Sequence, residues 1–304
     1  MRFTSRSVEI LGFSVYYYAL LIAAGALLAV VFASRREKTL GLGKDTALDI
    51  ALVCLPFGLI GARAYYVLLH ASEFESFAHI LDLRRGGLAI YGGILLGALA
   101  AFVLCRIKKG DFLRWADLAL PCVALAQGIG RWGNFFNQEA YGVEITASAL
   151  QFFPLAVYIP RDGLWHAAAF FYESVWCVLI FLFACALPSK KYFIKKGAGT
   201  LFYLLMYGFE RALTEGLRTD SLYLGAVRAS QLLSVLAMSA AALILIKKAN
   251  RPVFALLICA AGAIVSVLSA LTLLPPLWLY CSAPAVFALG IAGFFGLYCS
   301  QTAA

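Results

Sequence analysis

Charge is scarce in this sequence. Asp, Glu, Lys and Arg make up 13% of its 304 residues, hydrophobic residues make up 63%, and mean hydropathy is +0.87. That balance excludes an ordinary soluble domain and an intrinsically disordered chain. Histidine is nearly missing: there are three, with no CxxC or HExxH companion, so neither a metal site nor a cofactor is expected. The eight cysteines lack paired spacing and fall in apolar stretches, which reads as small buried or lipid-facing hydrophobes and not as a disulfide framework. There is no Pro/Ser-rich linker, internal repeat, basic tail or nucleic-acid motif. No Gly-x-Ser-x-Gly element is present either, which leaves an acyl-enzyme hydrolase without support.

What the chain has in abundance is long apolar runs. They predict an all-α polytopic membrane protein of about nine transmembrane helices, near residues 15–33, 50–69, 88–105, 117–136, 167–187, 197–213, 230–246, 253–274 and 277–299. The first span lacks a small-residue cleavage site and is expected to be retained. A polar and aromatic stretch at about 137–166 predicts a small cap between the fourth and fifth spans. All ten lysines, from Lys38 to Lys248, lie between alternate spans; with five arginines they give that face 15 basic residues against five acids. By the positive-inside rule this face is cytoplasmic, which puts the N-terminus outside and the C-terminus inside. The opposite face carries ten basic residues, all arginine, against eleven acids. Exclusion of lysine from translocated loops accounts for part of this. Guanidinium is also the group that binds phosphate or carboxylate in bidentate fashion.

Several polar clusters sit in or beside the spans. Arg131, Asn134 and Asn137 fall at i, i+3 and i+6, on roughly one helix face. An arginine at membrane depth costs at least ~2.5–3.5 kcal/mol, which makes a functional role the default reading. The bland alternative is an interhelical clasp with Glu139 or Glu173. Arg211, Glu215 and Arg218 make a second stripe at i, i+4 and i+7, with Asp220 and Arg228 following; an interfacial helix with surface salt bridges would look the same. Arg63 lies in a Gly-rich span. Arg84-Arg85-Gly86-Gly87 leads into Tyr91-Gly92-Gly93, and these glycines fit either a loop close to a ligand or a helix-packing seam. Trp165-His166 precedes Glu173, a carboxylate in an apolar run. All five clusters fall toward the outer ends of their spans, which suggests an anion-binding cavity for a phosphate-bearing lipid.

The segment from Gly130 to Gly142 reads G-R-x-G-N-F-x-N-x-E-x-x-G, and it resembles the signature of the bacterial prolipoprotein diacylglyceryl transferases at every fixed position. Tyr18-Ala19-Leu20, Gly61-Ala62-Arg63, the paired glycines, Tyr172-Glu173, the Arg211 to Asp220 run, and Gln231 with Ser234 fall in family order over about residues 10–247. The resemblance implies an enzyme of the bacterial cytoplasmic membrane with its site facing outside. Such an enzyme moves the diacylglyceryl group of phosphatidylglycerol onto the lipobox cysteine thiol of a prolipoprotein, forming a thioether and releasing glycerol phosphate. It also implies Arg131 and Arg211 as the phosphate clamp, and Asn134 and Asn137 as hydrogen-bonders to the headgroup. Glu139, Glu173 and Glu215 would orient the arginines, Gly142 would shape the mouth, and Tyr18, Arg63 and Arg218 would line the site.

Two departures from the family stand out. Tyr91 occupies the place where many members carry a histidine assigned to proton transfer, and a phenol with pKa ~10 is a poor base at neutral pH. Seven spans are usual, so residues 1–247 are expected to form the family-like domain and 252–304 two extra helices for packing or partner binding. Rival readings are a transporter or flippase of an anionic lipid, and a degenerate family member that binds prolipoprotein without transfer. A transporter would be expected to show inverted-repeat halves, which the sequence lacks.

Overall fold

The computed structural model describes residues 6–10, 13–74, 76–82, 86–186, 196–215, 218, 223–224 and 227–248. Arg84, Arg85, Asp220 and the two expected helices of 252–304 lie outside the described residues. The chain divides into two compact units, Met1–Ala29 with Leu120–Ala304, and Val30–Ala119.

Helices dominate both units. The hairpin β1 (Ser7–Ile10) and β2 (Phe13–Tyr16) leads into α1 (Tyr17–Arg36). Then come α2 (Thr46–Leu69), the short α3 (Phe77–Leu81), α4 (Ile90–Ile107) and α5 (Phe112–Asn137). The hairpin β3 (Ala156–Ile159) and β4 (Leu164–Ala167) precedes α6 (Ala169–Phe181), which runs on as a π-helix over Leu182–Ala186. The last described elements are α7 (Ala198–Thr214), the pair β5 (Tyr223–Leu224) and β6 (Val227–Arg228), and α8 (Ala229–Lys248). Among the described residues, α1, α2, α4 and α5 are long and apolar enough to cross a membrane, and the stretches Ala169–Cys185 and Ser230–Ala241 are shorter apolar helices. At 17 residues, α7 is shorter than a full span, and two of the nine expected spans lie outside the described residues. The three small hairpins are strands that the apolar periodicity did not announce.

In the unit of residues 30–119, α2 and α4 cross at glycines. A Cβ added at Gly92 would overlap the carbonyl oxygen of Gly61, one added at Gly61 would overlap that of Gly92, and one at Gly93 would stand 3.1 Å from the oxygen of Gly58. The second pair of glycines is thus a packing seam. Their outward faces, including Leu52, Leu55, Ile94, Leu95 and Leu99, are exposed apolar surface suited to lipid. Gly92→Ala in a free helix would gain about 1 kcal/mol of propensity. Here the sign reverses, because backbone meets backbone. We expect a lower melting temperature in detergent, and an unchanged or higher one would remove the seam as a constraint.

In the other unit, three more close crossings hold the helices. A Cβ at Gly25 would stand 3.0 Å from the carbonyl oxygen of Ala126, one at Gly128 3.0 Å from that of Ser174, and one at Gly208 3.0 Å from that of Ser234. Indole donors lock α6 from both sides: Trp132 Nε1 donates to Ser174 Oγ (3.1 Å) and Trp176 Nε1 to the Met206 carbonyl (2.9 Å). Phe135 stacks on Phe170 with ring centroids 4.9 Å apart, under the cap. These locks bring the polar faces of α5, α6 and α7 together inside an otherwise apolar core.

Candidate functional site

The signature segment begins on the last turns of α5 and continues past its end. The helix stops with Gln138 in the left-handed region (φ +55°), the Gln138 N–H donating to Phe135 O (3.2 Å) and the Glu139 N–H to Asn134 O (3.0 Å). That bond pair is a Schellman termination, which satisfies the last carbonyls and reverses the chain. Ala140 is left-handed too (φ +53°), and the chain then runs to Gly142, whose N–H donates to Ala167 O (2.9 Å). Gly142 also bridges the backbone of Arg218, while His166 meets the Gly142 carbonyl through Nδ1 (3.0 Å) and Asp162 Oδ2 through Nε2 (2.9 Å). The end of the signature is therefore tied to both the β3–β4 hairpin and the segment after α7.

At the centre is Glu173 of α6, fully buried. Its Oε2 pairs with Arg131 Nη2 at 2.5 Å and with Arg211 Nη1 at 3.0 Å, and its Oε1 lies 3.9 Å from Arg218 Nη1. Three guanidiniums from two expected clusters thus meet on one carboxylate. Arg211 has a second partner, Glu215, through Nη2. Arg228 Nη1 donates to the Glu215 carbonyl (2.7 Å) and closes the group on the side of α8. Arg211 is therefore held from both sides. Arg131 is held at one nitrogen only, so Nε and Nη1 have no acceptor among the described residues.

The remaining expected site residues of this unit lie around that group. Tyr18 of α1 packs on Gly133, where an added Cβ would be 3.2 Å from Tyr18 Cα, and it lies in electrostatic range of Arg131 and Glu139. At Gly130 an added Cβ would meet nothing within 4 Å, so the helix face next to Arg131 is open. Asn134 has no side-chain partner among the described residues. Asn137 Nδ2 donates to Glu139 Oε1 (3.2 Å). Glu139 is exposed and makes no ion pair among the described residues; the carboxylates paired with Arg131 and Arg211 are Glu173 and Glu215.

Tyr91 and Arg63 belong to the other unit. Tyr91 is half-buried on the first turn of α4. Arg63 is buried on α2, and its five N–H donors all meet backbone carbonyls: Nε to Ile80, Nη1 to Gly86 and Gly87, Nη2 to His79 and Asp82, at 2.6–3.2 Å. The ring of Phe74 covers it, 5.0 Å from the guanidinium carbon. A guanidinium has five donors, so Arg63 as placed has none left for a ligand. Gly86 and Gly87 (both φ +79°) are the loop wrapped around it, and a Cβ at Gly87 would come within 2.7 Å of Arg63 Nη1.

Residues 6–247 match the family described as prolipoprotein diacylglyceryl transferase. The chain belongs to that family. It is 42% identical over 228 residues to phosphatidylglycerol–prolipoprotein diacylglyceryl transferase 1 of Clostridium perfringens, covering 74% of this chain and 86% of the relative. To the enzyme of Enterococcus faecalis it is 41% identical over 254 residues (82% and 91%), and to that of Finegoldia magna 40% over 241 residues (79% and 93%). The match to this transferase family covers both the arginine cluster and the Arg63 loop.

One residue of the cluster escaped the sequence reading. Glu210 of α7 is 1% exposed and sits in electrostatic range of Glu173, Arg211 and Arg131. It is off the i, i+4, i+7 stripe that starts at Arg211, and that stripe drew attention away from it. A signal was present all the same: a carboxylate in the apolar run Leu201–Phe209–Leu213 needs a reason to be there.

Proposed function

We propose that this chain transfers the diacylglyceryl group of phosphatidylglycerol to the lipobox cysteine thiol of prolipoproteins, in the bacterial cytoplasmic membrane. The observation that carries the reading is Arg131, a half-buried guanidinium anchored by Glu173 at one nitrogen with its other donors uncommitted among the described residues. Phosphate is the ligand such a fork suits.

The reaction is a displacement at carbon. The thiol sulfur attacks the glyceryl carbon bonded to the phosphate oxygen, the C–O bond breaks, and glycerol phosphate leaves with the electron pair. Charge grows on the departing phosphate, so fixed positive charge at that place lowers the barrier. Arg131 would bind the phosphate, with Arg211 and Arg218 adding field from positions set by Glu173 and Glu215. Asn134 and Asn137 would contact the headgroup, and Gly142 would shape the entrance with Tyr18. Arg63 would act on its own loop, and Tyr91 would position substrate.

The finer topology belongs to the same proposal: nine spans, the N-terminus outside, the C-terminus inside, and a site open to the outer leaflet. Lysine distribution supports that orientation.

The test uses purified protein, labelled phosphatidylglycerol and a lipobox peptide. Thioether product supports the reading. Lipid movement without product would make the chain a transporter, and peptide binding alone a non-catalytic relative. In the same assay we expect Tyr91→Phe to keep kcat within about threefold, because a phenol is a weak proton acceptor. A fall of about 100-fold would put the hydroxyl into the chemistry.

A further inference from the structure

Transfer of a lipid to a thiol releases a proton, and something in the site must receive it. The sulfur starts as S–H and ends as a thioether. The phosphate starts as a diester with one negative charge and leaves as a monoester with about two. Beside the buried carboxylates Glu173, Glu210 and Glu215, that added charge is costly unless a negative group nearby is neutralised at the same time. Proton uptake by a neighbouring carboxylate does this, since the sum of charges in the site then stays constant.

The described cluster offers three buried carboxylates, and two are committed. Glu173 holds Arg131 and Arg211, with Arg218 at 3.9 Å; Glu215 holds Arg211. Protonating either would release the guanidiniums that bind the leaving group. Glu210 is different. Its Oε1 accepts from Thr214 Oγ1 at 2.8 Å, its Oε2 has no hydrogen-bond partner, and it forms no ion pair among the described residues. A buried carboxylate oxygen that no donor satisfies is a place prepared for a proton. The Thr214 hydroxyl satisfies the other oxygen in both states, so loading the proton disturbs nothing.

We infer that Glu210 is the proton acceptor of the transfer, taking the thiol proton on Oε2 as the C–S bond forms. The proton then leaves with the glycerol phosphate or to water, and the carboxylate is restored. The groups that face it are Arg131 on α5, Glu173 and Cys177 on α6, and Tyr207, Arg211 and Thr214 on its own helix.

This inference rests on the transfer reading, and one experiment separates the two. Wild type, Glu210→Gln and Glu210→Asp are assayed for thioether formation from pH 5 to 9 with both substrates varied. Gln has nearly the same shape and still accepts from Thr214, so folding should survive; thermal unfolding in detergent checks it. We expect Glu210→Gln to lose about 100-fold in kcat with KM for lipid and peptide little changed, the usual scale for removing a proton acceptor. The fall in wild-type rate toward acid pH should vanish in Gln and return, at a lower plateau, in Asp. A residue with only a structural role would not move the pH profile. An active wild type with a Gln variant of equal kcat and the same profile overturns the inference and leaves the transfer reading intact. A wild type that makes no thioether overturns both. Should Gln fail to fold, an Asp variant with wild-type kcat and an unshifted profile overturns it as well.

Discussion

Arg131→Lys should abolish most turnover, with kcat/KM falling by about 100-fold or more. Lysine keeps the charge and loses the fork. In the structure one nitrogen of Arg131 is spent on Glu173 at 2.5 Å, and a phosphate would take the others. An ammonium is a compact point charge at the end of a flexible stem. It can serve the carboxylate or the phosphate, but not hold both in the plane that a guanidinium fixes. The measurement is thioether formation by the purified variant, normalised to folded protein. Activity within a few-fold of wild type would take Arg131 out of the clamp and move phosphate binding to Arg211 or Arg218.

Glu173→Gln should damage both stability and activity. Removing one partner of a buried ion pair costs about 3–5 kcal/mol, because the other charge is left without compensation. Here Arg131 and Arg211 are bonded to this carboxylate and Arg218 lies near it. Glutamine can still accept at one oxygen, but brings a donor NH₂ to face guanidinium donors. We expect a clear fall in melting temperature and a loss of transfer larger than that of Glu139→Gln, since Glu139 is exposed and holds no arginine. An unchanged melting temperature would mean that the three cations do not depend on their shared anchor.

How much of this was legible from residues alone varies with the kind of interaction. The stripe spacing on α5 and α7 placed Arg131 and Arg211 on defined faces, and those faces do meet. Glu173 was one of several carboxylates proposed to orient arginines. That it would serve all three depends on where α6 packs, which the glycine contact at Gly128 and the Trp132 and Trp176 locks decide. Glu139 was expected to orient arginines because it belongs to the signature. The Schellman turn at Gln138 directs it elsewhere, and such a turn in a residue other than glycine leaves little trace in sequence. Arg63 was the least legible, because its partners are backbone carbonyls and every residue has one. Of the two readings of the glycine pairs, the packing seam holds for Gly92 and Gly93, while Gly86 and Gly87 make a loop that closes on Arg63, which neither reading named.

That loop has a consequence for ionic strength. Most protein cations are balanced by an anion, and such pairs weaken as dissolved electrolyte screens them. Arg63 is solvated instead by peptide dipoles, in a shell made of His79, Ile80, Asp82, Gly86 and Gly87 and roofed by Phe74. A shell of neutral dipoles in direct contact offers mobile ions little to compete for. The lead into α4 should therefore keep its shape in brine as in dilute buffer, while the surface pair of Lys108 with Asp49 in the same unit loosens.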